Sequence, residues 1–312
     1  MKKIVFMGTP DFAVPVLESL IRNEEYHIEL VVTQPDRPKG RKRILTPPPV
    51  KVIAENHNIP VFQPEKIKND FDPIKRIEPD LIVTAAFGQL LPKPLLDIPK
   101  YGCINVHASL LPKLRGGAPI HYSLLEGHEK TGITIMYMAE KLDAGDIISQ
   151  KEVVIEENDN VETLHNKLSK IGADLLIQTL PSLFTSNITP FKQNEQEATF
   201  APNISREQEV IDWSRNQRDI FNHIRGLCPW PVAYTKWNNH TVKIWQACIS
   251  NNTDNGDPGE VLSISEDAII VATGDGKAIE ITELQPAGKK KMHVADFVRG
   301  IGSKMQVGEK LG

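Results

Sequence analysis

Short apolar runs alternate with helical or loop segments over roughly the first 155 residues, and this alternation constrains the fold more than any other feature of the chain. Between the first two runs, the segment from Phe12 to Asn23 carries apolar residues at helical spacing. Strands that alternate with helices favour a mainly parallel, Rossmann-like α/β sheet with both faces covered. Ligands bind such sheets beyond the carboxyl ends of the strands, so polar residues there are the first candidates for chemistry. The predicted strands are Ile4–Met7, Ile28–Thr33, Leu81–Ala86, Cys103–His107, Ile133–Met138 and Ile147–Val154.

A longer helix is predicted after these strands, followed by a polar connection. Asp159 and Glu162 have the spacing of a capping box at the start of the helix, and Pro181 is expected to end it. Beyond the helix the chain becomes polar and contains two prolines, which is typical of a connection between domains. The expected organisation is a first domain at residues 1–189, a linker at 190–205 and a second domain at 206–312.

The remainder of the chain has a different pattern. One helix is predicted at about Ser214–Arg225, and short β-type runs follow it with Gly, Asn and Asp between them. Closely spaced strands of this kind favour a smaller β-barrel domain that resembles the oligonucleotide-binding (OB) type. The runs are Val232–Thr235, Val242–Ala247, Val261–Ile264, Ala268–Thr273 and Ala278–Thr282.

Composition excludes several classes of protein. The 312 residues are 40% hydrophobic and 24% charged, which rules out a disordered chain. The net charge of −4 argues against a protein that binds polyanions through its overall charge. No apolar run is long enough to span a bilayer, and the start of the chain lacks the apolar stretch of a signal peptide. With three widely spaced cysteines and no CxxC, we expect a reduced, cytoplasmic protein.

Familiar nucleotide and metal motifs are missing. The first strand is followed by Gly8-Thr9-Pro10-Asp11-Phe12 instead of GxGxxG, which argues against a dinucleotide site and a dehydrogenase. The sequence contains neither a P-loop for a nucleoside triphosphate nor the GxSxG of a serine hydrolase. It also has no HExxH and no Cys/His cluster, so we expect no metal.

Two polar residues stand together at the end of the fourth predicted strand. Because side chains alternate along a strand, Asn105 and His107 lie on the same face at its carboxyl end. Their N–H groups suit an oxygen that becomes anionic during attack on a carbonyl. Both residues can equally be structural, with Asn105 capping a turn and His107 half-buried, and the pair alone leaves both interpretations open.

An acidic turn follows the next predicted strand. Its Gly145 permits a tight bend, and Asp143 lies where the loop returns towards the sheet. A carboxylate there can keep a histidine cationic, accept a proton from an amine or order a water molecule. The same residues are typical of a simple hairpin turn, so spacing alone does not assign a role to Asp143.

These two segments occur together in one known family. An Asn-x-His followed by Ala-Ser-Leu-Leu-Pro, with a Leu-Asp-Ala-Gly-Asp turn about 35 residues later, resembles the folate-dependent formyltransferases. A longer match, to the members of that family that act on methionyl-tRNA, covers nearly the whole chain. That match includes Phe6–Phe12, Thr33–Arg41, Cys228–Pro231 and Leu284–Met292.

The resemblance implies an enzyme that transfers the formyl group of N10-formyltetrahydrofolate to the α-amino group of initiator methionyl-tRNA, for translation initiation. It implies that Asn105 and His107 stabilise a tetrahedral oxyanion and assist proton movement. Asp143 would keep the histidine oriented and charged, or order a water molecule that removes the amine proton. The residues that the resemblance implies for folate binding are Ser109, Leu110, Leu111, Pro112, Phe87, Gly88, Gln89 and Leu90.

Cations cluster in the loop after the second predicted strand. A charge run is usually a solvated face, but a long loop with flanking prolines is often functional. The resemblance implies that this loop enters the acceptor stem of tRNA, with Arg41 and Lys42 as contacts. In the C-terminal part, a second cationic stripe can form from Lys289, Lys290, Lys291 and Arg299. The predicted tRNA-binding residues are Arg37, Lys39, Arg41, Lys42, Arg43, Lys289, Lys290 and Lys291.

Two other functions stay open at this point. A formyltransferase for a nucleotide-linked amino sugar would share the same catalytic residues, although it would not need the basic loop. A non-catalytic RNA-binding protein on the same scaffold would have no reason to keep Asn105, His107 and Asp143 together. We expect a monomer whose partners are tRNA and the folate co-substrate, without membrane association.

Overall fold

The computed structural model describes residues 1–40, 42–251 and 256–312. Contacts within the chain divide it into two compact units. The first unit comprises residues 1–119, 130–154 and 165–202, and the second comprises residues 120–129, 155–164 and 203–312. Residues 190–202 therefore pack with the first unit. That the first domain ends at residue 189 and the second begins at residue 206 remains a prediction.

The first unit is built on a seven-stranded sheet of order β5-β2-β1-β6-β7-β8-β9, with a separate two-stranded hairpin, β3-β4. Strands β5, β2, β1, β6 and β7 are parallel, whereas β8 and β9 are antiparallel to their neighbours. The prediction of a mainly parallel sheet is confirmed. The strands are β1 Lys2–Gly8, β2 Tyr26–Val32, β3 Arg37–Lys39, β4 Ile44–Thr46, β5 Val61–Phe62, β6 Leu81–Ala85, β7 Cys103–His107, β8 Lys130–Tyr137 and β9 Ile147–Val154.

The central strands β1 and β6 are mostly apolar, which is typical of a sheet whose two faces are both covered. In β1, the residues from Ile4 to Met7 are fully buried, and β6 is buried throughout. The strand order reverses beside β1, where the chain turns from the β2 side to the β6 side. Ligands of open α/β sheets bind at such a reversal, beyond the carboxyl ends of the strands.

The segment from Phe12 to Asn23 contains a helix, as its apolar spacing predicts, whereas the long helix after the strands runs past its predicted end. The helix does not end at Pro181, which lies inside its final turn. A proline removes only one backbone hydrogen bond there, and Leu180 and Leu183 continue the buried stripe past it. The helices are α1 Val14–Ile21, α2 Pro49–Asn56, α3 Asp72–Ile77, α4 Lys93–Leu96, α5 Pro119–Leu125 and α6 Val161–Phe184.

The predicted capping box of α6 is wrong by one residue. Oδ1 of Asn160 accepts from the backbone N–H of Thr163, whose Oγ1 accepts from the N–H of Asn160, both at 3.0 Å. Asp159 lies one residue before this reciprocal pair, and its Oδ2 accepts from the N–H of Glu156. Asn caps a helix as well as Asp does, so the choice between neighbouring candidates depends on the turn that enters the helix.

The second unit is an antiparallel half-barrel, as the predicted β-rich pattern leads one to expect. Its strand order is β10-β11-β14-β13-β12, with β15 also pairing with β14. Trp213 and Phe297 are large members of its buried core. Its elements are α7 Gln217–Leu227, β10 Tyr234–Trp237, β11 His240–Ile249, β12 Val261–Ile264, β13 Ile269–Ala272, β14 Ala278–Pro286, β15 Met292–His293 and α8 Val294–Arg299.

Over the described ranges, none of the helices combines the length and the apolar character that crossing a membrane requires.

Candidate functional site

Asn105 is held by a threonine of the neighbouring strand. The register of β6 and β7 places Thr84 beside Asn105, and the hydroxyl of Thr84 donates to Oδ1 of Asn105 at 2.8 Å. Within the described part of the chain, nothing accepts a hydrogen bond from Nδ2 of Asn105. The half-buried amide therefore presents its two N–H groups to whatever occupies the site. The sequence analysis does not single out Thr84. The feature that marks it is that it is the one polar residue in a buried strand.

His107 is almost completely buried, and both ring nitrogens face groups of the protein. Nε2 lies 3.0 Å from the carbonyl oxygen of Leu114, which can only accept, so Nε2 carries a proton. Nδ1 lies 3.7 Å from Oδ2 of Asp143, which is an ion-pair distance and too long for a hydrogen bond. At this distance the carboxylate of Asp143 faces Nδ1 directly and can orient the ring.

The Asp143 turn, residues 140–146, is shaped to bring its carboxylate to this point. Asp143 adopts a left-handed backbone conformation with φ of 48°, and its Oδ2 accepts from the backbone N–H of Gly116 at 2.8 Å. A Cβ at Gly145 would overlap the backbone oxygen of Tyr137, so only glycine fits there. The structure thus brings Asn105, His107 and Asp143 together on one side of β7.

The segment after β7, which is predicted to contact the folate, offers mainly apolar side chains to the site. The hydroxyl of Ser109 is buried and donates to the carbonyl oxygen of Lys113 at 2.6 Å, so it is used inside the protein. Leu111 is buried, while Leu110 and Pro112 are half-buried. Among the residues predicted here for folate, Leu110 and Pro112 therefore have the surface to contact a ligand.

The predicted pterin segment follows β6 at the reversal of strand order. The carbonyl oxygen of Phe87 accepts from Oγ1 of Thr9 at 3.1 Å and from Nε2 of Gln34 at 3.2 Å. These two donors follow β1 and β2, so three strand ends are tied together by one carbonyl group. The side chain of Gln89 accepts from the N–H of Ile67 at 2.8 Å. Gly88 and Leu90 are exposed beside these fixed residues.

The basic loop is a short hairpin formed by β3 and β4, which we call the basic hairpin (residues 37–46). Arg37 pairs with Glu65 at 2.6 Å, and Lys39, Lys42 and Arg43 are exposed. The predicted contact Arg41 lies outside the described residues.

Asp36 anchors the base of the basic hairpin. Its carboxylate accepts from Nε2 of Gln63 at 2.7 Å and from Nζ of Lys51 at 2.9 Å. The hydrogen bond from Gln63 first, and then that from Lys51, hold the pKa of Asp36 below its ordinary value. The hairpin is therefore fixed at its base by interactions that use none of its own predicted RNA-binding cations.

The second predicted basic stripe lies just after β14. Lys289 and Lys290 are exposed in the turn, and Lys291 pairs with Glu283 and lies 5.3 Å from the ring centre of Trp245. Lys291 therefore has partners within its own unit, whereas its two neighbours extend to solvent.

Sequence reasoning missed a buried arginine next to the Asp143 turn. Arg115 is fully buried, and its Nε and Nη2 donate to Oε1 of Gln193 at 3.0 and 2.8 Å. Nη2 also donates to Glu195 at 2.8 Å. The hydrogen bond from Arg115, followed by that from Lys141, lowers the pKa of Glu195 to about 2. From sequence alone, Arg115 is indistinguishable from the exposed arginine of a loop.

No group of three or more His, Cys, Asp or Glu side chains within residues 1–40, 42–251 and 256–312 is arranged to hold a metal ion.

Two family models together match most of the chain. Residues 1–180 match the formyl transferase model, and residues 203–302 match the model of the formyl transferase C-terminal domain. The chain belongs to the formyl transferase family, and it is an enzyme of one-carbon transfer. Among its relatives is the methionyl-tRNA formyltransferase of Bacillus licheniformis, which is 61% identical over 314 aligned residues that cover 100% of this chain and 98% of that protein. The resemblance seen in the sequence is confirmed.

Solved structures show the same fold. HypX from Aquifex aeolicus in complex with tetrahydrofolic acid superposes with a TM-score of 0.66 at 16% identity, over 99% of this chain and 48% of that one. An N-formyltransferase from Helicobacter canadensis, in complex with folinic acid and dTDP-3-aminofucose, has a TM-score of 0.67 at 20% identity, over 92% of this chain and 100% of that one. At such identities the likeness shows the fold alone.

Proposed function

We propose that this protein transfers the formyl group of N10-formyltetrahydrofolate to the α-amino group of methionine on initiator tRNA. The observation that carries the proposal is the 61% identity to a methionyl-tRNA formyltransferase over 100% of this chain and 98% of that protein. The arrangement of Asn105, His107 and Asp143 supports it, because it joins a carboxylate–imidazole pair to an amide donor that has no acceptor among the described residues.

The reaction exchanges one C–N bond for another. The amine nitrogen bonds to the formyl carbon, the bond from that carbon to N10 breaks, and one proton passes from the amine to N10. A free α-amino group has a pKa of about 7.7–8.0, so a useful fraction is neutral near pH 7.5 without a strong base. Positioning and stabilisation of the oxyanion can therefore supply most of the rate.

The two catalytic donors have different roles in this proposal. Nδ2 of Asn105 donates to the formyl oxygen as negative charge develops on it, with the amide oriented by Thr84. His107 assists the passage of the amine's proton to the leaving N10. Asp143 orients the ring, or orders a water molecule that takes the amine proton, and the N–H of Gly116 donates to its carboxylate.

The folate co-substrate is proposed to lie where the ends of β1, β6 and β7 meet. Gly88, Gln89 and Leu90 line one side, with the buried Phe87 behind them. Leu110 and Pro112 line the other side, with the buried Leu111 behind them. Ser109 supports this second side from within, through its bond to Lys113. Largely apolar walls with a few fixed polar groups are typical of sites for flat ring systems.

The acceptor tRNA is proposed to bind through local cations. In the basic hairpin these are Arg37, Lys39, Arg41, Lys42 and Arg43, and in the C-terminal domain they are Lys289, Lys290 and Lys291. The net charge of −4 makes local patches the natural mode of binding. We further propose that the protein acts as a cytoplasmic monomer, with domains at the predicted boundaries.

A direct assay tests the function. Purified protein is mixed with N10-formyltetrahydrofolate and methionine-charged initiator tRNA, and formyl-methionine is measured beside two other acceptors, elongator methionyl-tRNA and a nucleotide-linked amino sugar. Formylation of the initiator alone is expected. Formylation of the amino sugar instead would keep the chemistry and overturn the tRNA acceptor, and tRNA binding without transfer would favour a binding protein.

A further inference from the structure

The segment from Phe191 to Ala201, which the sequence suggests is part of a linker, is bonded along its length to the loops that carry the site. We call it the strap. At its start, Phe191 and Ile147 exchange two backbone hydrogen bonds of 2.9 and 3.0 Å. At its end, the N–H of Ala201 donates to the carbonyl oxygen of Arg115 at 2.7 Å. Both ends are therefore anchored on the first unit, and the residues between them span the site loops.

Gln193 is the residue of the strap that reaches the Asp143 turn. Its Nε2 donates to the carbonyl oxygens of Asp143 and Gly145, both at 2.8 Å. Its Oε1 accepts from Nε and Nη2 of Arg115. Two N–H groups and two lone pairs are all that a glutamine amide has, so every one of them is used.

Arg115 keeps the strap in place. A fully buried guanidinium is costly unless acceptors surround it, and here both side-chain acceptors, Gln193 and Glu195, come from the strap. Among the described residues, its Nη1 has no partner at all, so losing either acceptor would leave the buried charge poorly compensated. Glu195 also pairs with Lys141 in the Asp143 turn.

The strap also holds the acceptor of the catalytic histidine. The backbone N–H of Leu114 donates to Oγ1 of Thr199, and that of Arg115 donates to the carbonyl oxygen of Thr199, both at 2.9 Å. The carbonyl oxygen of Leu114 is the group that faces Nε2 of His107. One segment thus supports both neighbours of the imidazole, namely Leu114 and Asp143.

We propose that Gln193 is a positioning residue for formyl transfer, which holds the Asp143 turn so that the carboxylate stays against His107. Asp143 adopts a left-handed backbone conformation, with φ of 48°, which is less favourable than the right-handed one even for Asp. The two hydrogen bonds from Gln193 to the backbone of the turn help to hold it there. Gln193 acts on the reaction through the Asp143 turn and without touching the substrates, and the proposal rests on the function proposed above.

Gln193→Glu is the most specific test. A glutamate keeps the size of the side chain and the acceptor for Arg115 but loses both donors to the turn. We expect kcat to fall by about 10–100-fold, with KM for the folate and for the tRNA changed by less than about twofold. The matched control is Gln196→Glu, the same change at an exposed position of the strap. A kcat for Gln193→Glu within about twofold of that for Gln196→Glu would overturn the proposal.

Amide hydrogen exchange gives a readout that is independent of turnover. Peptides that cover residues 138–148 should lose protection in folded Gln193→Glu and keep it in Gln196→Glu. Unchanged protection would overturn the proposal even if activity fell. If wild-type protein forms no formylated product, the proposed function fails, and the exchange result still decides what Gln193 does.

Wild-type protein supplies the test if Gln193→Glu does not fold. When the strap and the turn form one unit, peptides from 191–201 and 138–148 exchange with the same opening free energy. If peptides from the strap exchanged far faster than peptides from the turn, the turn would remain folded while the strap is open. That result would show that the turn does not depend on the strap, and it would overturn the proposal.

Discussion

The Asp143 turn and the basic hairpin are two loops of the same unit, and they are built in opposite ways. In the turn, the carboxylate of Asp143 is only 13% exposed, and the turn is bonded to Gly116 and Gln193. In the hairpin, Ile44 and Leu45 are 62% and 64% exposed beside the exposed cations. The carboxylate of the turn is thus held by other parts of its unit, whereas the hairpin exposes apolar residues and cations together. Changes in the turn should therefore act on kcat, and changes in the hairpin on binding.

The largest effects are expected at the site itself. Asn105→Ala removes the free amide donor, and Asp143→Asn removes the charge opposite His107. Loss of one such group typically lowers the rate by about 10²–10³, so we expect kcat to fall on that scale while the thermal unfolding temperature stays near that of wild type.

Glu140→Gln is the control for these variants, since it removes one charge at an exposed position of the same turn. Its kcat should stay within about twofold of wild type. Activity of that order in Asn105→Ala or Asp143→Asn would exclude the residue concerned from the mechanism.

A pair of glycine substitutions separates the two loops directly. In Gly145→Ala the new Cβ would overlap the backbone oxygen of Tyr137, so the Asp143 turn must move, and we expect kcat to fall by about 10–100-fold. Gly40 has φ of +69°, and among the described residues no atom beyond its chain neighbours lies within 4 Å of an added Cβ, so we expect Gly40→Ala to cost only backbone strain of about 1–2 kcal/mol. Steady-state kinetics should show kcat nearly unchanged in Gly40→Ala. Equal losses in both variants would contradict the contrast between a rigid turn and an open hairpin.

Removing charge from the hairpin should have a smaller effect than the changes in the turn, and it should change KM for tRNA instead of kcat. We expect Lys42→Gln with Arg43→Gln to raise KM for tRNA about tenfold at moderate salt and to leave kcat unchanged, because exposed cations contribute through phosphate contacts. The slope of log KM against log salt concentration should fall by about 2, one unit for each lost contact.

Lys75 and Arg76 provide a matched control for this variant. They are an adjacent, exposed lysine–arginine pair on α3, and the double change to Gln removes the same charge from the same unit. If that control raised KM as much as the hairpin variant, the effect would come from overall charge and the hairpin would have no specific role.

The sequence predicts the parts of the site that depend on neighbours along the chain. Alternation along one strand places Asn105 and His107 on one face, and the structure agrees, because β7 has the predicted bounds of Cys103–His107. The apolar runs likewise predict the mainly parallel sheet. Such features are set by local geometry, which sequence spacing records directly.

The supporting residues could not be predicted in this way. Gln193 and Arg115 are 78 residues apart in sequence, and neither has a local pattern that marks it as buried. A polar run such as 193–197 is typical of an exposed connection, and only the tertiary structure shows that it surrounds a buried charge. Thr84 lies between these two cases. A lone polar residue in a buried strand predicts that a hydrogen-bond partner exists, but the sequence does not identify that partner.

The smallest expected effect concerns the charge that links the strap to the turn. Arg115 and then Lys141 lower the pKa of Glu195 to about 2 from an ordinary 4.5. A carboxyl group whose pKa is lowered on folding stabilises the protein above its unfolded pKa, and that contribution is lost as pH falls towards the folded value. The unfolding temperature of wild type should therefore exceed that of Glu195→Gln by a constant amount above about pH 5.5, and the difference should shrink towards pH 2.

Because the side chain of Glu195 is 55% exposed, solvent screens its ion pairs, and the difference at neutral pH should be only about 1–3 °C. Glu197→Gln, the same change two residues along the strap, corrects for the general loss of one surface charge. Circular dichroism melts of the three proteins from pH 7 to pH 3 measure the effect. A gap between wild type and Glu195→Gln that stays constant over this range would mean that Glu195 is not paired in solution. Gln193 would then be the strap's remaining side-chain acceptor for the buried Arg115. The Asp143 turn would be held less firmly, and its contrast with the open basic hairpin would be weaker.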